Sequence, residues 1–556
     1  MAGSTLACDF EPVYGSALQA LRGMDIKAIL VGASRWARAT FERATARRRG
    51  ALVLTCVVLL SLAYRLHVSR ECSLWLDEAA THFDVLKPWP ILLHGPEREH
   101  PPLMFLLVRI ATDLFGTSET GLRSVSLLFG CLLLVAIYEL CLELELTVWR
   151  SLIVVSTFAL TPFFIEHATE ARQYAMLVAF TTLATTRALR LLRGEQTIRD
   201  VVGLGVCVVF ATALHYFGLA YALALLGAVA LGLALRWKAT SASWRAAVVG
   251  VLLVCLVPLG YLTLRLSALG RHYAVGTGGA ATGPALNLAL LYSIPKEFSF
   301  LNNELWRFVL EPGLAVVGLI LVSRRLRGVA RVLPLGLGLA PCAAALFISG
   351  QHFIAARYLA PSAVLYHLAA CVTLFAAVDC IQLALARGKR GALQVPYVGG
   401  VMLICLVAAR LHEYPSRFGI VGDDYRACQR YFLAKLAPDT GLVVYPGGFG
   451  DELFGKVYRV GARPIGLEKF RPTPGIRRYL IVENHSLPTQ RQAKLISLVE
   501  RHFGLTAEAW SALPLVLMPH STYQPAVRAH LVELPSDDVP PPRRKRRPNR
   551  RHPHPR

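Results

Sequence analysis

The stretch ALVLTCVVLLSLAYRLHV at residues 51–68, followed directly by SLWLDE at residues 73–78, sets the architecture of this chain. An apolar run of this length is close to what a helix needs to cross the hydrocarbon core of a bilayer. The adjacent carboxylates Asp77 and Glu78 are costly to desolvate beside a membrane, so their presence calls for a function. The run predicts a first membrane span, and the acid pair predicts catalysis at the membrane surface.

The composition excludes a soluble globular protein with an ordinary surface. Of 556 residues, 54% are hydrophobic and only 17% are charged, and the mean hydropathy is +0.46. The formal charge of +23 comes from 59 Lys and Arg against 36 Asp and Glu, which suits either nucleic acid or anionic lipid as a partner. Because the arginines cluster at the ends of apolar runs, the lipid bilayer is the expected partner and nucleic acid is not.

The positions of the arginines predict the topology. Arg47, Arg48 and Arg49 precede the first run, so the N-terminus is expected in the cytoplasm and Asp77 outside. The run 101–115 is short and charged, so we interpret it as an interfacial helix. Every predicted cytoplasmic loop is then rich in arginine, and eleven spans place the C-terminal region outside. The later spans are predicted at 122–144, 151–167, 174–192, 201–217, 218–235, 246–266, 305–322, 332–349, 359–385 and 393–411.

After Leu411 the composition becomes that of a soluble domain. Residues 441–445 and 478–483 are predicted to be strands, and residues 489–503 show helical periodicity. The predicted fold class is therefore an all-α polytopic membrane protein with interfacial helices and a small C-terminal α/β soluble domain. The predicted units are a basic cytoplasmic segment 1–50, a transmembrane catalytic domain 51–412, an extracytoplasmic domain 413–535 and a disordered basic tail 536–556.

Polar and charged side chains gather at the predicted outer ends of the spans. A random distribution of polar residues would not place all of these groups on one face of the membrane, so we predict a cavity that opens at that face. The candidate site residues are Asp77, Glu78, His100, Arg123, Glu166, Glu170, Arg172, Tyr174, His352, Arg357 and Tyr358.

Five segments carry a family resemblance: WLDE at 75–78, HPPL at 100–103, GLRSVS at 121–126, TEARQY at 169–174 and ARYLAPS at 356–362. In this order they resemble the polyprenyl-phosphate-sugar-dependent glycosyltransferases of the GT-C fold. That superfamily is similar to glycosyltransferase family 39. It includes the protein O-mannosyltransferases and the lipid A aminoarabinose transferases. The resemblance covers residues 50–412 and implies a lipid-linked sugar donor and an extracytoplasmic active site. One departure is Gln173, where many bacterial relatives have proline.

Sugar transfer from a polyprenyl phosphate needs a base near the acceptor hydroxyl and cations near the departing phosphate. Asp77 is the candidate base, and Glu78 is expected to orient the acceptor or a neighbouring arginine. Arg357, with Tyr358, is the candidate to hold the phosphate because a guanidinium binds it bidentately. Without the resemblance, the acid pair also fits a helix N-terminal cap, and Arg357 also fits an interfacial anchor.

The other candidates are expected to complete the pocket. Glu166, Glu170 and Arg172 are expected to form a second polar wall, although Glu170 and Arg172 could simply satisfy each other. His100 is a candidate hydrogen-bond donor, and Arg123 is expected to be a buried partner for an acid of the first loop. The pocket that reads the sugar is expected to include loop residues 270–303.

The expected reaction is a direct displacement at the anomeric carbon, which inverts configuration and forms no covalent enzyme intermediate. No cofactor is expected to be required, with a divalent metal held by the acids and the donor phosphate as the alternative. A lipid-linked sugar flippase and a surface-polysaccharide polymerase or ligase are the competing functions. The acceptor is a hydroxyl of a protein, a glycolipid or a cell-surface glycan, and the expected location is a bacterial inner membrane.

Overall fold

The computed structural model describes a largely helical protein with a small sheet near the C-terminus. The described residues are 26–74, 76–94, 101–194, 197–276, 293–295, 298–299, 304–349, 356–387, 429, 433, 440–445, 465–472, 476, 478–483, 489–513 and 528–533. The helices that precede the sheet are α1 (Ile26–Glu71), α2 (Leu76–Val85), α3 (Trp89–His94), α4 (Leu103–Phe115), α5 (Glu119–Glu143), α6 (Val148–Leu160), α7 (Pro162–Ala168), α8 (Tyr174–Arg193), α9 (Ile198–Leu214), α10 (Tyr216–Leu235), α11 (Ala242–Gly276), α12 (Glu311–Arg325), α13 (Leu333–Ser349) and α14 (Ala360–Arg387).

Within the described ranges, 6 helices are long and apolar enough to cross a membrane, or 7 if a bent pair counts as one span. The six are Arg48–Glu71, Glu119–Glu143, Tyr174–Arg193, Tyr216–Leu235, Trp306–Arg325 and Ala356–Ile381. Three more predicted spans fall on shorter or partly described apolar helices, namely α9, α11 and α13. The predicted span 393–411 lies outside the described residues. An integral membrane protein with several spans is therefore confirmed, while the count of eleven stays a prediction.

The predicted continuous span 151–167 is wrong in one respect, because the helix breaks in the middle. α6 ends at Leu160 and α7 begins at Pro162, with a bend of 64° between them. Thr161 is extended, and Pro162 occupies the first turn of α7, where its missing N–H costs nothing. The break turns the short helix α7 and the segment after it away from the direction of α6, which brings residues 166–173 toward the first loop.

The short helix α4 agrees with the predicted interfacial segment. Its 13 residues correspond to about 20 Å of helix, less than the ~30 Å hydrocarbon core. The apolar side chains of Met104, Phe105 and Val108 are buried against the first loop and α5. Arg109 donates a 2.7 Å hydrogen bond to the carbonyl of Val85, which ties α4 to the end of α2.

Side-chain caps fix the starts of the long helices near the site. Ser118 accepts a hydrogen bond from the backbone N–H of Gly121 at the start of α5. His215 interrupts the chain between α9 and α10, and its Nδ1 accepts from the N–H of Phe217 at 3.1 Å. Each cap satisfies a backbone donor that the first helical turn leaves without an intrahelical partner. The caps therefore define where each span stops and where polar side chains begin.

Near the C-terminus, four strands form one mixed sheet in the order β2-β1-β3-β4. The strands are β1 (Thr440–Tyr445), β2 (Ile465–Gly466), β3 (Arg478–Glu483) and β4 (Arg528–Glu533), and only β4 is antiparallel to its neighbour. Helices α15 (Thr489–Phe503) and α16 (Ala507–Ala512) accompany it, and apolar residues of α15 are buried with the sheet. The predicted α/β unit with its two strands and helix is confirmed. The domain boundaries stay predictions, and the basic tail lies outside the described residues.

Candidate active site

The acid pair lies in the first turn of α2, where carboxylates interact favourably with the helix dipole. The two side chains face different surroundings. The Asp77 side chain keeps 30% of its surface exposed, while the Glu78 side chain is completely buried. The pair therefore divides into one carboxylate that solvent and substrates can reach and one that belongs to the interior.

Glu78 is bound by Arg123, which is also completely buried at the start of α5. The guanidinium forms a fork with both carboxylate oxygens, at 2.7 Å through Nε and 2.6 Å through Nη2. Its other N–H groups donate to the carbonyls of Ser69, Cys72 and Ser73 at 2.7 to 2.8 Å. All five guanidinium donors are thus used. This arrangement joins the end of α1, the first loop and α5 around one ion pair.

The same carboxylate also holds the segment between α7 and α8. Glu78 Oε1 accepts a 2.7 Å hydrogen bond from the backbone N–H of Ala171. The next residue, Arg172, is 3.6 Å from the carboxylate of Asp77 through Nη2. Because Asp77 neighbours Glu78 and Arg172 neighbours Ala171, one buried hydrogen bond places the two charged side chains opposite each other.

Arg357, from a segment much later in the sequence, approaches the Asp77 carboxylate. It lies in a single 3-10 turn, Ala356–Leu359, immediately before α14. Its Nη2 is 3.6 Å from Asp77 Oδ2, and the side chain is 20% exposed. Both arginine distances to Asp77 exceed hydrogen-bond length, so the pairs are electrostatic contacts that leave the carboxylate oxygens accessible. Asp77 therefore lies between two guanidinium groups.

Aromatic rings line the wall beside these charges. The rings of Tyr174 and Tyr358 are stacked with centroids 6.3 Å apart, and His215 is 5.0 Å from Tyr358. Tyr174 is buried at the start of α8, directly after the Arg172 turn. Because Tyr174 and His215 are buried and Tyr358 is half-buried, these rings form the packing that supports the charged groups.

His167 and Glu170 form a further pair of buried side chains at the site. His167 Nδ1 is 3.5 Å from Glu170 Oε2, and the two side chains are 6% and 1% exposed. Glu166 is half-buried on α7, and its backbone carbonyl accepts from Thr169. His100 and His352 lie outside the described residues. The structure therefore brings together Asp77, Glu78, Arg123, Arg172 and Arg357 directly, with Glu170, Tyr174 and Tyr358 next to them.

Sequence reasoning missed a second buried pair of an acid and a histidine. Glu311 at the start of α12 and His367 within α14 are both completely buried, with Nδ1 and Oε1 3.5 Å apart. The carboxylate accepts hydrogen bonds from Ser299 and from the indole of Trp306. The available signal was a single acid and a single histidine within apolar runs, which in a membrane protein indicates a specific partner.

A further titratable side chain, His82, lies on α2, the helix that also carries the acid pair. Its Nδ1 is buried and makes no hydrogen bond to the described part of the chain, and burial lowers the pKa of this imidazole. Across the described residues, no group of three or more His, Cys, Asp or Glu side chains could hold a metal ion. The charge near Asp77 is supplied there by arginines.

Comparison with solved structures gives distant similarities. ArnT from Cupriavidus metallidurans bound to undecaprenyl phosphate is 14% identical, with 88% of this chain and 99% of that chain covered and a TM-score of 0.46. The archaeal oligosaccharyltransferase AglB from Archaeoglobus fulgidus, in complex with an inhibitory peptide and a dolichol-phosphate, is 12% identical, covering 88% and 75%, with a TM-score of 0.42. The S. cerevisiae protein O-mannosyltransferase Pmt1-Pmt2 complex bound to the sugar donor is 17% identical, covering 41% and 34%, with a TM-score of 0.31.

No curated protein matches the sequence. Residues 99–261 match the family model described as dolichyl-phosphate-mannose-protein mannosyltransferase. The matched segment includes Arg123, Glu170, Arg172 and Tyr174. The resemblance indicated by the sequence motifs is therefore confirmed, and across residues 99–261 the chain is similar to the dolichyl-phosphate-mannose-protein mannosyltransferases, membrane glycosyltransferases that use a polyprenyl-phosphate sugar.

Proposed function

We propose that this protein transfers a sugar from a polyprenyl-phosphate donor to a hydroxyl acceptor on the extracytoplasmic side of the membrane. The observation that carries the proposal is the partly exposed Asp77 carboxylate between Arg172 and Arg357, each 3.6 Å away. A base and two cations within one small space meet the needs of a displacement in which a phosphate departs.

In the proposed reaction, Asp77 takes the proton of the acceptor hydroxyl. The acceptor oxygen forms a bond to the anomeric carbon while the bond from that carbon to the phosphate oxygen breaks. The phosphate leaves with the electron pair, and Arg357 and Arg172 stabilise its added negative charge. A single displacement of this kind inverts the anomeric configuration and needs no covalent sugar on the protein.

Glu78 has a positioning role in this proposal. Its carboxylate is fully buried and bound by Arg123 and the N–H of Ala171, so it has no free surface for the acceptor. It sets the direction of Asp77 through the peptide bond that joins them and sets Arg172 through Ala171. Of the two roles expected for Glu78, orienting the acceptor or orienting a neighbouring arginine, these buried contacts support the second.

Other parts of the proposal rest mainly on the sequence. His100, Glu166 and His352 are expected to complete the pocket for the donor or the acceptor. The GT-C architecture, the extracytoplasmic orientation of the site and the bacterial inner membrane follow from the motifs and the arginine pattern. No metal is required in this scheme, because the two arginines supply the positive charge at the phosphate.

The test is sugar transfer in membranes supplied with a panel of radiolabelled polyprenyl-phosphate sugars. Asp77→Asn keeps the size of the side chain but removes the base, so the transfer rate is expected to fall by about 10²- to 10⁴-fold. Arg357→Ala is expected to lose donor binding. Asp84→Asn is the matched control, because Asp84 lies on the same helix and pairs with Lys87 at 2.6 Å, away from the site.

The outcomes separate the candidate functions. Loss of transfer in well-folded Asp77→Asn, with the Asp84 variant fully active, supports Asp77 as the base, and the labelled product identifies the acceptor class. Full activity of Asp77→Asn places the base elsewhere. Movement of lipid-linked sugar across the bilayer without any transfer would instead establish a flippase.

A further inference from the structure

A groove of about 490 Å³ runs between α8 and α9, in the half of α8 that is farther from the candidate active site. Among the described residues that line it, two are arginines, six are uncharged and none is acidic. One of the arginines, Arg187, lies about 20 Å along α8 from Tyr174, since each helical residue rises ~1.5 Å. The groove is therefore separate from the site around Asp77.

The α9 wall of the groove is one continuous apolar face of the helix. Ile198, Val202 and Val206 recur at every fourth residue, and they are 59%, 50% and 47% exposed. Gly203 lies on the same face and has no side chain to fill the space beside Arg187. From Ile198 to Val206 the helix rises about 12 Å, a little less than half of the ~30 Å hydrocarbon core. The apolar wall thus matches the depth of one leaflet of a bilayer.

The charged end of the groove lies at the turn that joins the two helices. Arg199 is exposed in the first turn of α9 and forms no ion pair with a residue that the structure describes. Arg187 is 27% exposed and is already partly neutralised, because it donates a 2.9 Å hydrogen bond to Asp200 and lies 3.7 Å from Glu139. Arg199 therefore supplies most of the free positive charge, and the remaining donors of Arg187 add to it.

We propose that this groove binds one anionic phospholipid, with its phosphate at Arg199 and Arg187 and one acyl chain along Ile198, Val202 and Val206. The lipid belongs to the leaflet at the α8–α9 turn, which the arginine pattern predicts to be cytoplasmic. A zwitterionic head group carries its own cation and gains less from the two arginines. A second copy of this chain, packed face to face, would bring the same arginines together, so a lipid is the better complement.

The experiment is a lipid titration of the purified full-length protein in detergent, read by native mass spectrometry. Phosphatidylglycerol and phosphatidylcholine with identical acyl chains compete at equal concentration, and no sugar donor is present. The wild type is expected to bind one phosphatidylglycerol at least about fivefold more tightly than phosphatidylcholine, because each arginine near a lipid surface contributes a factor of about five.

Two variants separate the charge from the groove. Arg199→Gln removes the free charge, so the preference for phosphatidylglycerol is expected to fall by about fivefold. Gly203→Leu puts a side chain into the groove, so binding of both lipids is expected to weaken; a Cβ there lies 3.6 Å from Arg187, an ordinary contact that leaves the helices in place. The matched controls are Arg325→Gln, at the exposed end of α12, and Gly250→Leu, on an open face of α11. Both controls are expected to bind lipid as the wild type does.

The donor site is tested separately. Arg357→Ala changes the candidate phosphate ligand of the active site, and it is expected to keep the wild-type preference for phosphatidylglycerol. Loss of that preference in Arg357→Ala would assign the bound lipid to the active site and would overturn the groove as its location. The site in the groove does not require that the protein transfers a sugar, so it stands or falls independently of the proposed function.

The remaining outcomes are distinct. A lost preference in Arg199→Gln and weaker binding in Gly203→Leu, with both controls unchanged, support the site. Equal binding of the two lipids by the wild type, or equal losses in Arg199→Gln and Arg325→Gln, would overturn it, because general attraction between a basic surface and anionic lipid has no preferred arginine. Unchanged binding in Gly203→Leu would place the lipid elsewhere. Equally tight binding of glycerol phosphate, which has no acyl chain, would indicate a site for free phosphate instead.

Discussion

Replacement of Arg123 by methionine is expected to destabilise this protein more than any other single change near the site. The variant leaves the Glu78 carboxylate charged and buried, which costs about 3–5 kcal/mol when one partner of a buried pair is removed. It also removes the donor from three carbonyls in the first loop, each worth about 1 kcal/mol. Methionine fills part of the volume, so a cavity is not the main effect.

Two companion variants resolve these contributions. Glu78→Gln removes the charge but keeps an oxygen for the N–H of Ala171, and it leaves all three carbonyls bound to Arg123. It is therefore expected to cost less than Arg123→Met. The double variant Glu78→Gln with Arg123→Met relieves the unpaired carboxylate, so it is expected to be more stable than Arg123→Met alone despite carrying one more substitution.

The measurement is the midpoint of thermal unfolding in one detergent at one heating rate, since membrane proteins often unfold irreversibly. Comparison of the three variants with the wild type gives the order of stability. Equal midpoints for Arg123→Met and the wild type would refute the assignment of a buried ion pair. Strictly additive effects in the double variant would refute the coupling between the two side chains.

Three other predictions follow from particular contacts. A Cβ atom at Gly318 would lie 1.8 Å from the backbone oxygen of Ala369, whereas one at Gly313 on the same helix would meet open space. Gly318→Leu is therefore expected to lower the unfolding midpoint through an overpacking cost of about 1–3 kcal/mol, and Gly313→Leu is expected to leave the midpoint nearly unchanged. Burial lowers the pKa of His82 below its unfolded value of 6.5, so its contribution to stability is present above pH 6.5 and is lost as the pH falls toward the folded pKa; midpoints measured from pH 7.5 to pH 5 are expected to fall less steeply in His82→Gln than in the wild type. Arg357→Lys retains a charge but loses the planar fork, so steady-state transfer assays are expected to show a KM for the donor about tenfold higher, and an unchanged KM would argue against phosphate binding by this residue.

The periodic and compositional features of this chain were predictable from its sequence. Strand 478–483 and helix 489–503 were predicted with the bounds that the structure has, because the strand is a short apolar run between charged residues and the helix has apolar residues at helical spacing. Most spans were predicted from apolar length alone. The break at Thr161 and Pro162 was missed because the apolar run continues across it, although the proline itself was a visible signal for a bend.

Several side chains on the predicted list are brought together by the structure, but the direction that each one faces was not predictable. Arg123 was expected to meet an acid of the first loop, and the structure pairs it with Glu78. Adjacent residues in a helix point in different directions, and only tertiary packing determines that Asp77 faces the two arginines while Glu78 faces the interior. The close approach of His367 to Glu311 likewise depends on how separate helices pack, whereas that of His167 to Glu170 is local, because the two residues are three positions apart.

The hydrogen bond from Ala171 to Glu78 has a consequence for how substrate range can change. This hydrogen bond fixes the position of Asp77 relative to Arg172 through rigid peptide units. The segments that are expected to meet the sugar, such as residues 270–303, do not form that bond. Substitutions or length changes in those segments would then alter which sugar or acceptor is accommodated while the spacing of the reacting groups stays fixed. Under the proposed function, the reacting groups and the segments that select the sugar are separable, and exchange of the outer segments between related chains is a route to new glycosylation specificities.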